Sequence, residues 1–354
     1  MKIFAWILVV LVIIIGGGAA AYFGLIKNNK LSFFAKKSGS SAVTATTIDA
    51  KSGVDDKTAT LVIGGDIMLA RWVEQKALAD GGWTSLFDKI RDTLTKPNCA
   101  VANLESPFKG QKPQTKINSL IFAAKPEAVD ALTDAGIDAV SIANNHITDQ
   151  GQEGLNETKV ALDDKKIIYA GADDSTDKAL QAKTLTCGNL KIGFVAATYG
   201  TNFPADGVST ANLEGIVQTI KNTRPNVDYL IVYPHWGSEY NATPSPFQIE
   251  LAHEYIDAGA DLVVGSHPHV LQPIEIYKDK TIAYSLGNLV FDQASSGKKT
   301  EGALLQIALD DKTQKLTIVP IQIEDYYRPA PADGDLNSYK DSLALKDFSW
   351  SLAR

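Results

Sequence analysis

The sequence predicts an α/β protein built on two packed mixed β-sheets. Three observations carry that reading. From residue 59 onward, apolar runs of strand length alternate with amphipathic helical stretches, two of which end at glycine. The chain then closes on several adjacent strands, and polar residues suited to holding metals recur just past strand ends. Strand–helix alternation argues for a partly parallel sheet, and the closing strands argue for mixed pairing across two sheets.

Each element has a local reason. TLVIGG (60–65) and CAVANLE (99–105) read as strands. EAVDALTDAG (127–136) reads as a helix closed by Gly136, and DAVSIAN (138–144) as the strand after it. QEGLNETKVALDDK (152–165) spaces its apolar residues helically, whereas LKIGFVAAT (190–198) and DYLIVYP (228–234) are apolar strands. FQIELAHEYIDAG (247–259) is a second helix ending at glycine. DLVVG (261–265), VLQPIEIYK (270–278) and TIAYSLGN (281–288) are strands, followed by a hairpin over 303–324 that turns at 310–313. The tail from Tyr326 carries Pro329 and Pro331 and reads as a loosely packed extension.

The ends of the chain set its organisation. Residues 3–26 carry no charge, and ~20 helical residues span a bilayer core. Residues 1–30 therefore read as an N-terminal transmembrane anchor, with a signal peptide cut after Ala19-Ala20-Ala21 as the alternative. Residues 31–58 read as a flexible linker, 59–325 as the main domain and 326–354 as a C-terminal extension. Lys27, Lys30, Lys36 and Lys37 bias the domain toward the cytoplasmic side. Cys99 and Cys187, far apart and in no CxxC motif, read as small buried hydrophobes, with a single disulfide left open. The net charge of −7, with no basic stripe among aromatics, argues against nonspecific nucleic-acid binding.

Four of the five histidines sit just past a strand-like segment. Asp66 follows the first strand, and Asn103 and Glu105 end the second. Asn144, Asn145 and His146 follow the third; His235 and Glu239 follow DYLIVYP. His267 and His269 follow DLVVG, and Asn288 follows TIAYSL. In such folds, sites form where strand carboxyl ends meet. A set of carboxylate, amide and imidazole donors without thiolate suits Mn, Fe or Zn. Two such cations activate water and clamp phosphoryl oxygens, and a carboxylate can bridge them. On an extended H-P-H turn the two imidazoles diverge, so each reaches a different partner. His253, inside a helix, reads as structural.

The series GGDIMLAR, ANLESP, SIANNHITDQG, YPHWGSEY, GSHPHV and YSLGNLVF resembles the bacterial CapA family of poly-γ-glutamate capsule biosynthesis proteins over about residues 59–324. That family in turn resembles the calcineurin-like metallophosphoesterases, which implies a four-layer sandwich of two mixed sheets flanked by helices. The resemblance implies that Asp66 and His269 bind a first metal and that Glu105 bridges. It implies that Asn145, His235 and His267 bind a second metal and that His146 is the general acid. Asp66 thus serves both metal and catalytic roles, while Arg71, Asn103, Asn144, Glu239 and Asn288 fall in substrate-binding positions. Two departures stand out: Met68 replaces the histidine of the usual D-x-H, and Glu105 stands where an Asp is usual.

This reading supports two functions. One is a membrane-anchored, metal-dependent phosphoesterase-type hydrolase at the cell surface, acting on a phosphorylated intermediate or an anionic capsule polymer. The other is a non-catalytic polyanion-binding or export subunit of a capsule synthesis complex, with Lys109, Lys112 and Lys116 as its candidate basic patch. The capsule role implies a single-pass membrane protein with its main domain extracellular.

Overall fold

The computed structural model describes residues 57–111, 120–200, 202, 207–208, 213–293, 300–310, 314–333 and 336–345. The chain divides into two units, Met1–Ala42 and Val43–Arg354. The first lies wholly outside the described residues, as do the anchor over 1–30 and nearly all of the linker over 31–58. Among the described residues, no helix is long and apolar enough to cross a membrane.

Two mixed sheets form, as expected. The eight-stranded sheet takes in β1 (Ala59–Ile67), β2 (Cys99–Leu104), β3 (Ala139–Ser141) and β4 (Ile168–Ala170). It continues through β11 (Asn288–Val290), β12 (Glu301–Leu309), β13 (Gln314–Glu324) and β14 (Arg328–Pro331). The six-stranded sheet runs β5 (Lys183–Cys187), β6 (Leu190–Thr198), β7 (Tyr229–His235), β8 (Leu262–Val264), β10 (Lys280–Leu286) and β9 (Leu271–Tyr277) in that order. Strands β1 to β4 pair in parallel, as do β6, β7, β8 and β10 in the second sheet.

Strand periodicity places the core. Along β1, Leu61 and Ile63 point into the layer between the sheets, where they join Phe194, Ile231 and Tyr233 of the second sheet. Val62 points the other way, as a period of two requires. Four of the packed helices matter here: α1 (Arg71–Ala79), α2 (Arg91–Thr95), α3 (Val129–Asp134) and α4 (Gly151–Asp164). They cover the outer face of the first sheet through Val73, Leu94, Leu132 and Leu155. Beyond the short α5 (Thr176–Ala179), α6 (Leu213–Thr223) and α7 (Pro246–Ala258) cover the second sheet through Ile216, Ile220, Leu251 and Tyr255. Helix α7 starts at a reciprocal Ser245–Gln248 capping box with Pro246 in its first turn and stops at Gly259.

Side-chain bonds stitch the sheets together, among them a hydrogen bond and a disulfide. Tyr233 Oη donates to Gly64 O at 2.6 Å in the buried layer. Cys99, at the start of β2, forms a disulfide with Cys187, at the end of β5. The pair that composition alone left as two hydrophobes is thus a covalent link across the core.

The tail corrects the sequence reading. Strand β14 adds to the edge of the first sheet, where prolines are tolerated because the outer N–H groups need no partner. Tyr339, on α8 (Asn337–Ser342), is buried and donates its hydroxyl to Ile321 O at 2.8 Å. Leu343 and Leu345 are buried in the layer between the sheets. Strand β14 and the segment around Tyr339, Leu343 and Leu345 are therefore packed, not loose.

Candidate metal centre

Parallel strands deliver the site. The carboxyl ends of β1, β2 and β3 in one sheet, and of β7 and β8 in the other, open at the same edge of the molecule. Two close backbone approaches seat the chain there. A Cβ on Gly65 would lie 1.9 Å from Gly287 O, and one on Gly265 would lie 2.1 Å from Tyr284 O. Only glycine fits at either point. Asp66 follows Gly65 directly, and Ser266-His267-Pro268-His269 follows Gly265.

The residues expected at the strand ends converge. Asn103 Nδ2 donates to Asp66 Oδ1 at 2.8 Å, and the His267 backbone N–H donates to Asp66 Oδ2 at 3.2 Å. His269 Nδ1 lies 2.9 Å from Asn288 Oδ1, and its Nε2 lies 3.5 Å from Glu105 Oε1. His235 Nε2 lies 2.8 Å from Asn145 Oδ1 and 3.1 Å from His267 Nδ1. Asn144 Nδ2 donates to Asn103 Oδ1 at 3.2 Å and to Leu104 O at 2.8 Å. Two donor groups result, Glu105–His267–His269 and Asp66–Glu105–His235, each with its ligand atoms within 4.8 Å of one another. Glu105 belongs to both.

The H-P-H turn differs in form from the expectation. His267 and His269 are not extended; they adopt φ of 95° and 56°. Positive φ costs a residue with a Cβ about 1–3 kcal/mol, and such strain collects at functional sites. The rings still diverge, with centroids 5.9 Å apart and planes at 52°.

Burial gives the cluster its electrostatic character. Glu105 is fully buried, and Oε1 accepts no hydrogen bond. Burial, and then the neighbouring Asp66, push its carboxyl well above the usual range. Burial also pushes His235 far down and His267 down to about 4, each helped by the neighbouring histidines. These shifts share one meaning: the His235 and His267 imidazoles are neutral donors, and the Glu105 carboxyl lacks a positive partner. A divalent cation beside Oε1 is the group that this donor set fits. Met68, in place of the usual histidine, turns its sulfur to the Ala70 N–H at 3.1 Å.

The remaining predicted residues lie around this centre. His146 is buried, with Nδ1 2.7 Å from Asp149 Oδ2. Arg71 forms an ion pair with Asp292, and both side chains are nearly buried. Glu239 is exposed but close enough to act electrostatically on Glu105 and His267. His253 lies apart, paired with Glu275 at 3.0 Å and stacked on Tyr277. The proposed basic patch loses a member: Lys109 is 7% exposed and bonded to Glu153 at 2.8 Å and Glu157 at 2.5 Å. Lys112 and Lys116 lie outside the described residues.

Sequence reasoning missed four supporting residues. Ser266 Oγ lies 2.9 Å from His235 Nδ1. Asn202 Nδ2 donates to Asp149 Oδ1 at 3.3 Å. Asp149 and Phe122 hold His146. Asp149 was within reach, three residues after His146 in the same motif; Ser266 immediately precedes His267.

Comparisons with known proteins identify the family and the fold. The family model described as bacterial capsule synthesis protein PGA_cap matches residues 60–293. The capsule biosynthesis protein CapA of Bacillus anthracis is 35% identical over 284 residues, covering 75% of this chain and 68% of that protein. The PGA biosynthesis protein CapA of Bacillus subtilis is 33% identical over 304 residues, covering 81% and 78%. In fold, the chain is similar to a phosphatase from Mycoplasma pneumoniae, at a TM-score of 0.51, 11% identity and coverage of 76% and 94%. With its family signature spanning β1 to the loop after β11, this chain belongs to the bacterial capsule synthesis protein PGA_cap family.

Proposed function

We propose that this chain is a metal-dependent, phosphoesterase-type hydrolase of capsule or poly-γ-glutamate assembly, anchored in the membrane with its main domain outside. One observation carries the catalytic reading: the buried Glu105 carboxylate is shared by two donor groups and keeps Oε1 without a hydrogen bond. Glu105, His267 and His269 would hold one cation, and Asp66, Glu105 and His235, with Asn145 beside His235, a second, of Mn, Fe or Zn type; this divides the ligands differently from the resemblance, which pairs Asp66 with His269 and His235 with His267. When bound, such ions supply Lewis acidity and orient the phosphoryl group. Asn103 and Asn144 fix Asp66 and the turn before His146. His146 gives an Nε2 proton to the departing oxygen as the ester P–O bond breaks and water oxygen forms the new one. Its Nδ1, 2.7 Å from Asp149, is engaged, which leaves Nε2 for that task.

The Cys99–Cys187 disulfide supports an extracellular domain, because such bonds persist in oxidising compartments. The polymer-binding reading is weakened, since Lys109 is tied to two glutamates and Arg71 to Asp292. The test is hydrolysis of aryl phosphate mono- and diesters by chelator-treated protein, with Mn, Fe or Zn restored singly. Metal-dependent turnover that His146→Ala loses while keeping its metal supports the proposal. Tight metal uptake with no turnover on either ester counts against it.

A further inference from the structure

We infer that Phe122 is a positioning residue for His146, fixing it through its ring and its backbone amide at once. The inference rests on the reading of His146 as the proton donor. Phe122 is 2% exposed, and its ring stacks on the imidazole with centroids 3.8 Å apart and planes 19° apart. Its amide N–H donates to Asp149 Oδ2 at 2.6 Å, the same oxygen that lies 2.7 Å from His146 Nδ1.

The two contacts constrain different freedoms. A hydrogen bond at Nδ1 selects which ring nitrogen faces the site, but it leaves the imidazole free to rock about that bond. Stacking fixes the plane of the ring. Together they set the direction of Nε2, and a proton donor must be held within about 0.5 Å and 10–20° of its working geometry. Phe122 is itself held. Gln150 Nε2 donates to Phe122 O at 2.8 Å, the Arg71 guanidinium lies 4.6 Å from the ring centroid, and Phe291 meets the ring edge-on at 6.0 Å. Arg71, at a φ of 54°, thus has a place in the stack on top of its pairing with Asp292.

The experiment compares Phe122→Leu, which keeps the amide and removes the ring, with Phe122→Tyr, which keeps both. Each metal-loaded variant is assayed on phenyl phosphate, whose leaving oxygen needs a proton, and on 2,4-dinitrophenyl phosphate, whose leaving oxygen does not. The expected result for Phe122→Leu is a kcat loss of ~100-fold on the first ester and only a few-fold on the second, with KM and metal content unchanged. Phe122→Tyr should restore most of the loss. Equal loss on both esters, or failure of Phe122→Tyr to rescue, would overturn the inference. Phe122→Met stands in should the leucine variant take up no metal.

A second readout needs no turnover. The downfield proton resonance of His146 Nδ1–H, bonded to Asp149 in every variant, should be sharp in wild type and Phe122→Tyr and broadened by rocking of the ring in Phe122→Leu; an equally sharp resonance in the leucine variant would overturn the inference. If His146→Ala itself loses activity equally on the two esters, the proton-donor reading fails, and the resonance alone then decides whether Phe122 positions the ring.

Discussion

His235 and Ser266 meet side chain to side chain, with Nδ1 2.9 Å from Oγ, and this leaves His235 Nε2 facing Asn145 Oδ1 at 2.8 Å. His269 and Asn288 repeat the arrangement, with Nδ1 2.9 Å from Oδ1 and Nε2 toward Glu105. In both pairs an oxygen on one chain segment holds the Nδ1 side of a histidine on another. The Nε2 of each imidazole is then turned toward Glu105, at 4.0 Å for His235 and 3.5 Å for His269.

The first prediction comes from those pairs. Ser266→Ala and Asn288→Ala should each weaken metal binding about 10–100-fold, because an unrestrained imidazole must be ordered before it can bind. Competition with a chromophoric chelator measures this directly. Unchanged affinity in both variants would mean that the histidines are oriented by packing alone.

A second prediction concerns pH. Asp292 is paired with Arg71 and accepts the Trp72 N–H at 3.2 Å, yet burial outweighs the guanidinium and holds its carboxyl above the usual range. A raised carboxyl binds its proton more tightly when folded than when unfolded. Its stabilising contribution is complete below the unfolded pKa of about 3.9 and is lost as pH rises through the folded value. Asp292→Asn keeps the shape and does not ionise. It should therefore melt higher than wild type at about pH 7, with the difference closing as pH falls toward about 4. A lower melting temperature for the variant at neutral pH would show that attraction to Arg71 dominates.

The disulfide supports a third prediction. Cys99 and Cys187 are 88 residues apart, so their bond removes much of the freedom of the unfolded chain. Replacing both with alanine should cost about 2–5 kcal/mol, read as an earlier urea midpoint at similar slope. Reductant should move wild type toward the double variant and leave the variant unmoved. Wild type that melts identically with and without reductant, with two titratable thiols, would show that the bond does not form.

Much of this arrangement was legible because strands announce themselves by apolar runs and parallel strands end together. Asp66, Glu105, His146, His235, His267 and His269 could each be placed by reading the polar residue at or just past a strand end. Three-residue strands such as Ile168–Ala170 are too short to carry a period. Lys183–Cys187 shows half-exposed and exposed positions between its buried ones, so it lacks an apolar run. The tail misled because Pro329 and Pro331 argue against an interior strand, whereas β14 is an edge strand that can hold them. Phe122 gave no signal at all. Its role depends on where the chain places it against His146, twenty-four residues later, and no local pattern encodes such a contact. The disulfide was hidden for the same reason, since pairing is a property of the assembled sheets.

Glu105 tests the account most directly. Glu105→Gln keeps the volume and removes the charge that both donor groups share. After chelation and return of Mn, Fe or Zn, wild type should regain bound metal by elemental analysis, melt at higher temperature and hydrolyse aryl phosphate. Glu105→Gln should do none of these. Its metal-free form should be more stable than metal-free wild type by on the order of 1–3 kcal/mol, because a buried charge without a partner has been removed. Metal uptake by Glu105→Gln equal to that of wild type, or no uptake by either, would contradict a metal centre built on this carboxylate.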